Sequence, residues 1–144
     1  MVNGFQVTID ANNVNALVDF WALALGYVTQ PPPPGFSSWP AWAAAEGIPE
    51  DQWDSRGALV DPRGTGPRLF FQRVPEEKIA KNRFHLDINA GGGADVERSE
   101  RQRRVDEHVK QLVRAGGAVV REFNQEGERW IVMQDPEGNE FCVQ

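Results

Sequence analysis

The chain of 144 residues contains one cysteine, two histidines and no long apolar run. Its single cysteine, Cys142, excludes an internal disulfide, and no cysteine–histidine spacing resembles a zinc knuckle. No apolar stretch approaches the ~20 residues that cross a bilayer. The N-terminus also lacks the basic and then apolar pattern of a signal peptide. We therefore expect a cytoplasmic protein without a membrane partner.

Positive charge is scarce as well, since 15 lysines and arginines face 21 acidic residues and the net charge is −6. Such a chain has no broad basic face to offer to nucleic-acid phosphates. One group of arginines, within residues 98–104, is interrupted by acidic residues, which is typical of a solvated helix face. We therefore expect no nucleic-acid partner.

The sequence does contain two similar sets of short strands around an amphipathic helix. In the first set, residues 5–10 alternate apolar and polar as in a half-buried strand, and apolar residues within 14–25 recur at helical spacing. Asn12 or Asn13 is expected to cap this helix and Gly26 to end it. Further strands are expected at residues 27–30, 58–60 and 68–74.

The second half repeats this order. Residues 84–89 repeat the alternation of 5–10 at a shift of 79, and the turn Asp135–Gly138 repeats Asp61–Gly64 at a shift of 74. Between them lie a helix, for which Ser99 and Gln102 form a capping box, and strands at 118–123, 129–134 and 140–144. Two matches in the same order indicate an internal duplication.

The duplication predicts an α+β fold of two tandem β-α-β-β-β modules within one domain, residues 1–144. Module one covers about 1–75 and module two about 83–144, and an insertion occupies 31–56. Four consecutive prolines open the insertion with extended geometry, and a short helix is expected at 41–46. Trp39 and Trp42 make free coil an implausible state for it. Two interpretations stay open: a lid over a ligand, or padding for the core or a dimer contact.

Alternation along the first strand of each module assigns side chains to opposite faces of the sheet. Val7, Ile9, Leu86 and Ile88 are expected to pack under the helices. The other face then carries polar residues: Gln6, Thr8, Asp10, His85, Asp87 and Asn89. These six residues either converge on one shared cavity or face bulk water on one-sided sheets.

His85 is the strongest candidate for proton transfer, because an imidazole has an ordinary pKa of about 6.5. Asp87 lies two residues on, on the same face, and is the candidate to orient its ring. The alternative is that His85 is an ordinary hydrogen-bonding residue of a strand. His108 is interpreted as structural. Asp61 and Asp135 belong to Asp-Pro-x-Gly turns, in which the carboxylate binds its own backbone.

Three stretches resemble the vicinal oxygen chelate superfamily, also called the glyoxalase/bleomycin-resistance/dioxygenase superfamily, and its glyoxalase-like domain group in particular. They are the strand and helix with Gln6-Val7-Thr8-Ile9 and Phe20-Trp21, the strand Phe84-His85-Leu86-Asp87, and the closing Asp135-Pro136-Glu137-Gly138-Asn139-Glu140-Phe141. The resemblance implies a curved, cup-shaped mixed sheet with the helices outside, and a homodimer.

The resemblance also implies where a metal would be held. Family members with a metal use His or Gln on the first strand, His on the first strand of module two, and glutamates on the last strands. Here Gln6 and His85 match the first two positions, whereas Cys142 and either Phe70 or Gln72 occupy the others. Divalent ions of the hard or borderline class need anionic oxygen. We therefore expect no metal, or, if one is bound, an atypical site with Gln6 and His85, to which Cys142, Asp87 or Asp10 would contribute.

Three hypotheses for function follow from the resemblance. The first is a binder of a small organic molecule without a cofactor. The second is a metal-dependent lyase, isomerase or dioxygenase with an atypical site. The third is a resistance protein that sequesters an antibiotic. The expected catalytic residues are His85 and Asp87, and the expected ligand-binding residues are Gln6, Thr8, Asp10, Trp39, Trp42, Phe70, Gln72, Asn89 and Cys142.

Overall fold

The computed structural model describes residues 2–144 and contains two compact units. Unit one comprises the chain up to Ala22 together with Gly26–Glu77, and unit two comprises Leu23–Leu25 together with Lys78–Gln144. Each unit has its own four-stranded mixed sheet, so the predicted α+β class is confirmed. No helix among residues 2–144 combines the length and the apolar character that a membrane span requires.

The first module of the chain contains four strands and two helices: β1 (Gln6–Ala11), α1 (Val14–Leu25), β2 (Val28–Thr29), α2 (Trp39–Ala45), β3 (Arg56–Val60) and β4 (Arg68–Arg73). The sheet of unit one has the order β1-β4-β3-β2, in which β1 is parallel to β4 and the other neighbours are antiparallel. The short helix α2 and a single 3₁₀ turn at Glu50–Gln52 lie in the insertion.

Unit two contains four strands and one further helix: β5 (Asp87–Ile88), α3 (Arg98–Arg114), β6 (Ala118–Gln125), β7 (Glu128–Gln134) and β8 (Glu140–Val143). Its sheet has the corresponding order β5-β8-β7-β6, again with the first and last strands parallel. The predicted duplication of a β-α-β-β-β module is therefore present in the topology as well as in the sequence.

The first strand of module two is shorter than its alternation predicts. Only Asp87–Ile88 is paired as a strand, rather than the expected 84–89. Phe84 is 91% exposed and has no apolar layer to enter. The backbone of Leu86 still accepts a hydrogen bond from the N–H of Cys142, at 2.9 Å. The alternation therefore predicted the faces correctly and the length of the strand wrongly.

Local side-chain hydrogen bonds fix where the two long helices begin. The Oδ1 atom of Asn13 accepts the N–H of Ala16 at 3.1 Å, which caps α1, and Gly26 ends that helix at a φ of 68°. At α3 the capping box of Ser99 and Gln102 was wrong. Glu97 is the cap, because its carboxylate reaches the N–H groups of both Ser99 and Glu100.

The apolar faces of both sheets are closely packed. In unit one, Leu69 and Phe71 of β4 and Leu17 of α1 are at most 2% exposed. Helix α1 approaches β3 at Gly57, where a Cβ atom would lie 2.8 Å from Cγ2 of Val18. In unit two the buried core includes Leu112, Met133, Phe141 and Val143. The chain thus builds one small core per module.

The predicted alternation of burial is confirmed along β1. Gln6, Thr8 and Asp10 are exposed, whereas Val7 and Ile9 are partly buried. The same pattern continues in module two, where Ile88 is buried and Leu86 is partly buried. His85, Asp87 and Asn89 are exposed.

Asp61 organises the turn between β3 and β4. Its carboxylate is buried and accepts hydrogen bonds from the N–H groups of Arg63, Thr65 and Gly66 and from the hydroxyl of Thr65. These bonds stabilise the ionised form, with the bond from Arg63 as the largest cause, and hold the pKa of Asp61 well below its ordinary value. Asp135 accepts analogous bonds from the N–H groups of Glu137 and Asn139. Both aspartates are therefore turn residues, as predicted.

We predict that Asp61→Asn lowers stability in a pH-dependent way. A depressed carboxyl pKa stabilises the fold fully above the unfolded-state pKa, about 3.8. This stabilisation declines as the pH falls below that value and is lost as the pH passes through the lower folded-state pKa. Urea unfolding should show the largest loss of stability near pH 7 and a smaller one near pH 3. Asp19→Asn, on the exposed side of α1, is the control. A loss that is equal at both pH values would contradict the role assigned to the Asp61 carboxylate.

Candidate functional site

Parallel pairing of the first and last strands determines which side chains share the polar face of each module. In module one Gln6 lies opposite Arg68, Thr8 opposite Phe70, and Asp10 opposite Gln72. In module two Asp87 lies opposite Cys142. Thr8 and Asp87 are equivalent in the repeat, so Phe70 is the module-one counterpart of Cys142. Between Phe70 and Gln72, the register therefore puts Phe70 at the position equivalent to Cys142, and a role for either residue at a site stays a prediction.

Arg68 supplies a fixed positive charge beside Gln6. Its Nη1 atom donates to Oε1 of Gln6 at 3.0 Å, and its Nε atom donates to Oε1 of Gln30 at 2.7 Å. The guanidinium carbon also lies 5.1 Å from the centroid of the Phe70 ring, within the range of a cation–π contact. The amide oxygen that would face a metal in the family's arrangement is thus occupied by a cation.

Gln30 connects this arginine to the tryptophan-rich insertion. While its side chain accepts from Arg68, its backbone oxygen accepts the indole N–H of Trp39 at 2.7 Å. The ring of Trp39 meets that of Trp42 edge to face, with centroids 5.4 Å apart. Trp39 therefore belongs to the surroundings of Arg68. Trp42 contacts the ring of Trp39.

The far end of the insertion is fastened to β4. Arg73 donates to the carboxylate of Asp54 at 2.8 Å and to the backbone oxygen of Asp51 at 3.1 Å. The insertion contains one short helix as predicted, although it spans Trp39–Ala45 rather than 41–46. Its function as a lid stays a prediction.

The remaining polar residues of module one pair among themselves. Gln72 donates to Oδ1 of Asp10 at 2.7 Å, so Asp10 has a neutral partner on its own face. Gln6 donates to the hydroxyl of Thr8 at 3.5 Å. The structure thus brings together Gln6, Thr8, Phe70 and Arg68 at one end of this face, with Asp10 and Gln72 at the other.

Module two gathers three side chains of metal-binding chemistry. Nε2 of His85 lies 3.2 Å from Oδ1 of Asp87, and both side chains are about half exposed. One ligand atom from each of His85, Asp87 and Cys142 lies within 4.8 Å of the others. Ligand atoms on one tetrahedral zinc ion are about 3.5 Å apart, as the bond lengths require. Small side-chain rotations would therefore let these three residues hold a zinc-like ion.

The thiol of Cys142 is strongly held in its protonated form. Burial of the side chain, followed by the negative charge of Asp87 and the hydrogen bond to it, raises the pKa of Cys142 to about 11. At neutral pH the group is therefore a buried thiol and a poor nucleophile. A metal ion would have to displace its proton.

The two modules carry opposite charges at one equivalent position. Arg68 opens β4 and Glu140 opens β8. Glu140 is paired with Lys81 at 2.9 Å. Module one therefore presents a guanidinium on its polar face, whereas the corresponding face of module two carries the acidic side chains of Asp87 and Glu140.

Predictions were also made for His108 and Asn89, which both lie in unit two. Nε2 of His108 lies 2.9 Å from the backbone oxygen of Ala24, which supports the structural interpretation of this histidine. Oδ1 of Asn89 accepts from the side chain of Gln144 at 2.9 Å. The predicted cavity shared by Gln6 and His85 stays a prediction, because these residues belong to different units.

Arg68 is the site residue that sequence reasoning missed. Alternation along β4 puts Arg68 on the same face as Phe70 and Gln72, but its contact with Gln6, 62 positions away, leaves no local signal in the sequence. Gln30 was missed as well, because it lies next to the proline run and its distant partners leave no local pattern.

Comparison with known proteins agrees with this architecture. A family described as "Glyoxalase-like domain" matches residues 6–144. No curated protein matches the chain in sequence. The fold resembles a glyoxalase/bleomycin resistance protein/dioxygenase family enzyme from Burkholderia phytofirmans PsJN, at 14% identity and a TM-score of 0.61, covering 96% of this chain and 94% of that one.

It also resembles the fosfomycin resistance protein FosX from Listeria monocytogenes, at 14% identity and a TM-score of 0.62, covering 100% of this chain and 91% of that one. A mutant of that FosX was crystallised with Mn(II) and 1S,2S-dihydroxypropylphosphonic acid. These identities support the fold alone, whereas the family match covers nearly the whole chain. The chain belongs to the glyoxalase-like domain family.

Proposed function

We propose that this protein binds a small anionic organic molecule on the polar face of module one, with Arg68 as the positive charge that recognises it. The observation that carries the proposal is the hydrogen bond from Arg68 to Gln6. A guanidinium beside the family's first ligand position repels a metal ion and attracts an anion. Arg68 thus offers the kind of charge that a metal would otherwise supply.

The surroundings of Arg68 suit an aromatic or partly apolar anion. Phe70 lies under the guanidinium, and Trp39 is linked to it through Gln30. Guanidinium groups bind carboxylates and phosphonates through paired, charge-assisted hydrogen bonds. Aromatic walls with a few polar anchors are typical of small-molecule sites. The ligand class is therefore a small carboxylate or phosphonate.

The family's metal-ligand set does not fit module one. Gln6 is engaged by a cation, and Phe70 stands where an anionic oxygen would be needed. A resistance function would use the same anion site for sequestration, and FosX, which shares the fold, was crystallised with a phosphonic acid. Fosfomycin therefore belongs among the ligands to be tested.

A second candidate function depends on a different observation, the cluster of His85, Asp87 and Cys142. Imidazole, carboxylate and thiolate are all zinc ligands, and a site with three protein ligands leaves a position for substrate, as in catalytic zinc sites. A bound ion would polarise a substrate oxygen. The loop and strand before α3 would hold His85 and Asp87 in position as its ligands. The cost lies in Cys142, since its raised pKa makes metal binding release a proton.

We predict that benzoate binds more tightly than benzamide, and that Arg68→Met weakens benzoate binding by about 10-fold while leaving benzamide unchanged, because a charge-assisted hydrogen bond is lost. Quenching of tryptophan fluorescence measures both affinities, and phenylphosphonate and fosfomycin complete the panel. Arg63→Met, in an exposed turn with its side chain 82% exposed, is the control. Equal affinities in the Arg68 and Arg63 variants would exclude Arg68 as the anchor. Stoichiometric fosfomycin binding without turnover would favour sequestration.

For the second candidate we predict Co(II) binding with a thiolate-to-metal absorption band in the near ultraviolet. Binding should strengthen with rising pH, because Cys142 must lose its proton, and Cys142→Ser should abolish the band. Gln6→Ala is the matched control and should leave the band unchanged. If Gln6→Ala removes the metal, the ion uses the family's ligand set and our proposal for module one is wrong. If the wild type shows no such band, the cluster does not hold a metal of this kind.

A further inference from the structure

Unit two contains a cavity that none of the functions above uses. Its volume is about 210 Å³, and it lies between the loop after β5, the first turns of α3 and the turn from β6 to β7. Its lining includes Gly91, Gly92, Arg98, Arg101, Gln102 and Arg129. We propose that this cavity is a binding site for a small oxyanion, either phosphate or a carboxylate. The proposal does not rest on Arg68 or on the cluster around Cys142.

The arginines that line the cavity differ in whether a carboxylate already neutralises them. Arg129 is already neutralised, since it donates to Glu122 at 2.6 Å and to Asp106 at 2.7 Å. Within residues 2–144 the guanidinium groups of Arg98 and Arg101 form no hydrogen bond or salt bridge, although the backbone N–H of Arg101 donates to the backbone oxygen of Glu97 at 2.9 Å. These two guanidinium groups are therefore available to a ligand.

One N–H group of the Arg101 side chain lacks a hydrogen-bond acceptor within residues 2–144. Its Nε atom is buried and has no hydrogen-bond partner within residues 2–144. A buried donor without an acceptor is costly, so an acceptor in the adjoining cavity would relieve it. A small rotation of the guanidinium would present the paired N–H groups that bind a planar or tetrahedral oxyanion.

The loop before α3 is shaped around Arg101. A Cβ atom at Gly91 would lie 3.3 Å from Cβ of Arg101, and Gly92 has a φ of +91° that other residues rarely adopt. Both positions therefore favour glycine, and the loop backbone stays close to the arginine. Asn89, one of the predicted ligand-binding residues, and Gln144 line the same cavity and add amide groups to it.

The start of α3 does not itself supply the site. Glu97 already accepts the N–H groups of Ser99 and Glu100. A hydrogen bond from the Ser99 hydroxyl is the largest cause that lowers the pKa of Glu97, and the charge of Arg101 contributes. Glu128 also lines the cavity and opposes an anion. The volume is below the ~300–1,000 Å³ of pockets for drug-sized ligands, so the ligand is a single small group.

The test is a titration of ¹⁵N-labelled full-length protein with potassium phosphate, acetate or chloride at matched ionic strength, followed by NMR. Phosphate up to about 20 mM would saturate a site of ~1 mM affinity. We expect saturable shifts of the amides of Gly91, Gly92 and Gln102. Arg101→Met should weaken phosphate binding by about 10-fold, because one charge-assisted contact is lost. Arg114→Met, in the last turn of the same helix, should bind as the wild type does.

Arg98→Met provides a second variant, since Arg98 is exposed and its loss should not disturb the core. It should weaken binding even if Arg101→Met unfolds the loop. Saturable shifts with acetate instead of phosphate would identify a carboxylate site. Equal shifts with chloride, no saturable shift with either oxyanion, or equal affinities of the Arg98 and Arg114 variants would overturn the proposal.

Discussion

The parallel pairing of the first and last strands of each module is the constraint on which the chemistry of this protein depends. It sets Thr8 beside Phe70 and Asp87 beside Cys142, at equivalent places of the two halves. Because side chains alternate along each strand, this one register decides which residues share the polar face and which enter the core. A shift by one residue would bury Arg68 and expose Leu69 and Phe71. The burial of those two apolar residues therefore also fixes the position of the guanidinium.

The functional differences between the modules arise from a few side chains on an otherwise similar framework. In module one a guanidinium, an amide and an aromatic ring are in contact. In module two an imidazole, a carboxylate and a thiol are gathered. Membership in a family of this breadth does not choose between anion binding and metal chemistry, since one fold supports unrelated reactions. The choice depends on these contacts.

Much of this arrangement can be predicted from the sequence where the signal is local or repeated. The alternation of residues 5–10, the helical spacing of 14–25 and the two Asp-Pro-x-Gly turns each depend on near neighbours. The structure contains the helix, the turns and the strand, although the strand begins at Gln6 and leaves Phe5 exposed. The repeat then orders the strands, because an equivalent sequence predicts an equivalent topology. The length of β5 and the cap of α3 were predicted wrongly, because there the local pattern is outweighed by other contacts. Phe84 continues the alternation although its side chain is exposed, and Glu97, two residues before the expected cap, accepts the N–H groups of Ser99 and Glu100.

Contacts between distant residues explain what the sequence could not show about the site. The bond from Arg68 to Gln6 joins residues 62 positions apart, and the bond to Gln30 joins residues 38 apart. Alternation assigns each of these side chains to a face but does not say which donor reaches which acceptor. The ionisation of Cys142 likewise depends on burial and on Asp87, which lies 55 positions earlier in the chain. Such properties are determined only when the strands are paired.

Arg68 and Glu140 begin equivalent strands of the two modules but carry opposite charges, and this difference has an evolutionary consequence. Once two repeated modules carry opposite charges at equivalent positions, neither module can replace the other. A change that improves one half for an anion would, if copied to the other, remove the acidic group there. Selection must therefore act on each half separately, and divergence between the halves is expected to be greatest at these strand ends and least in the buried residues they share.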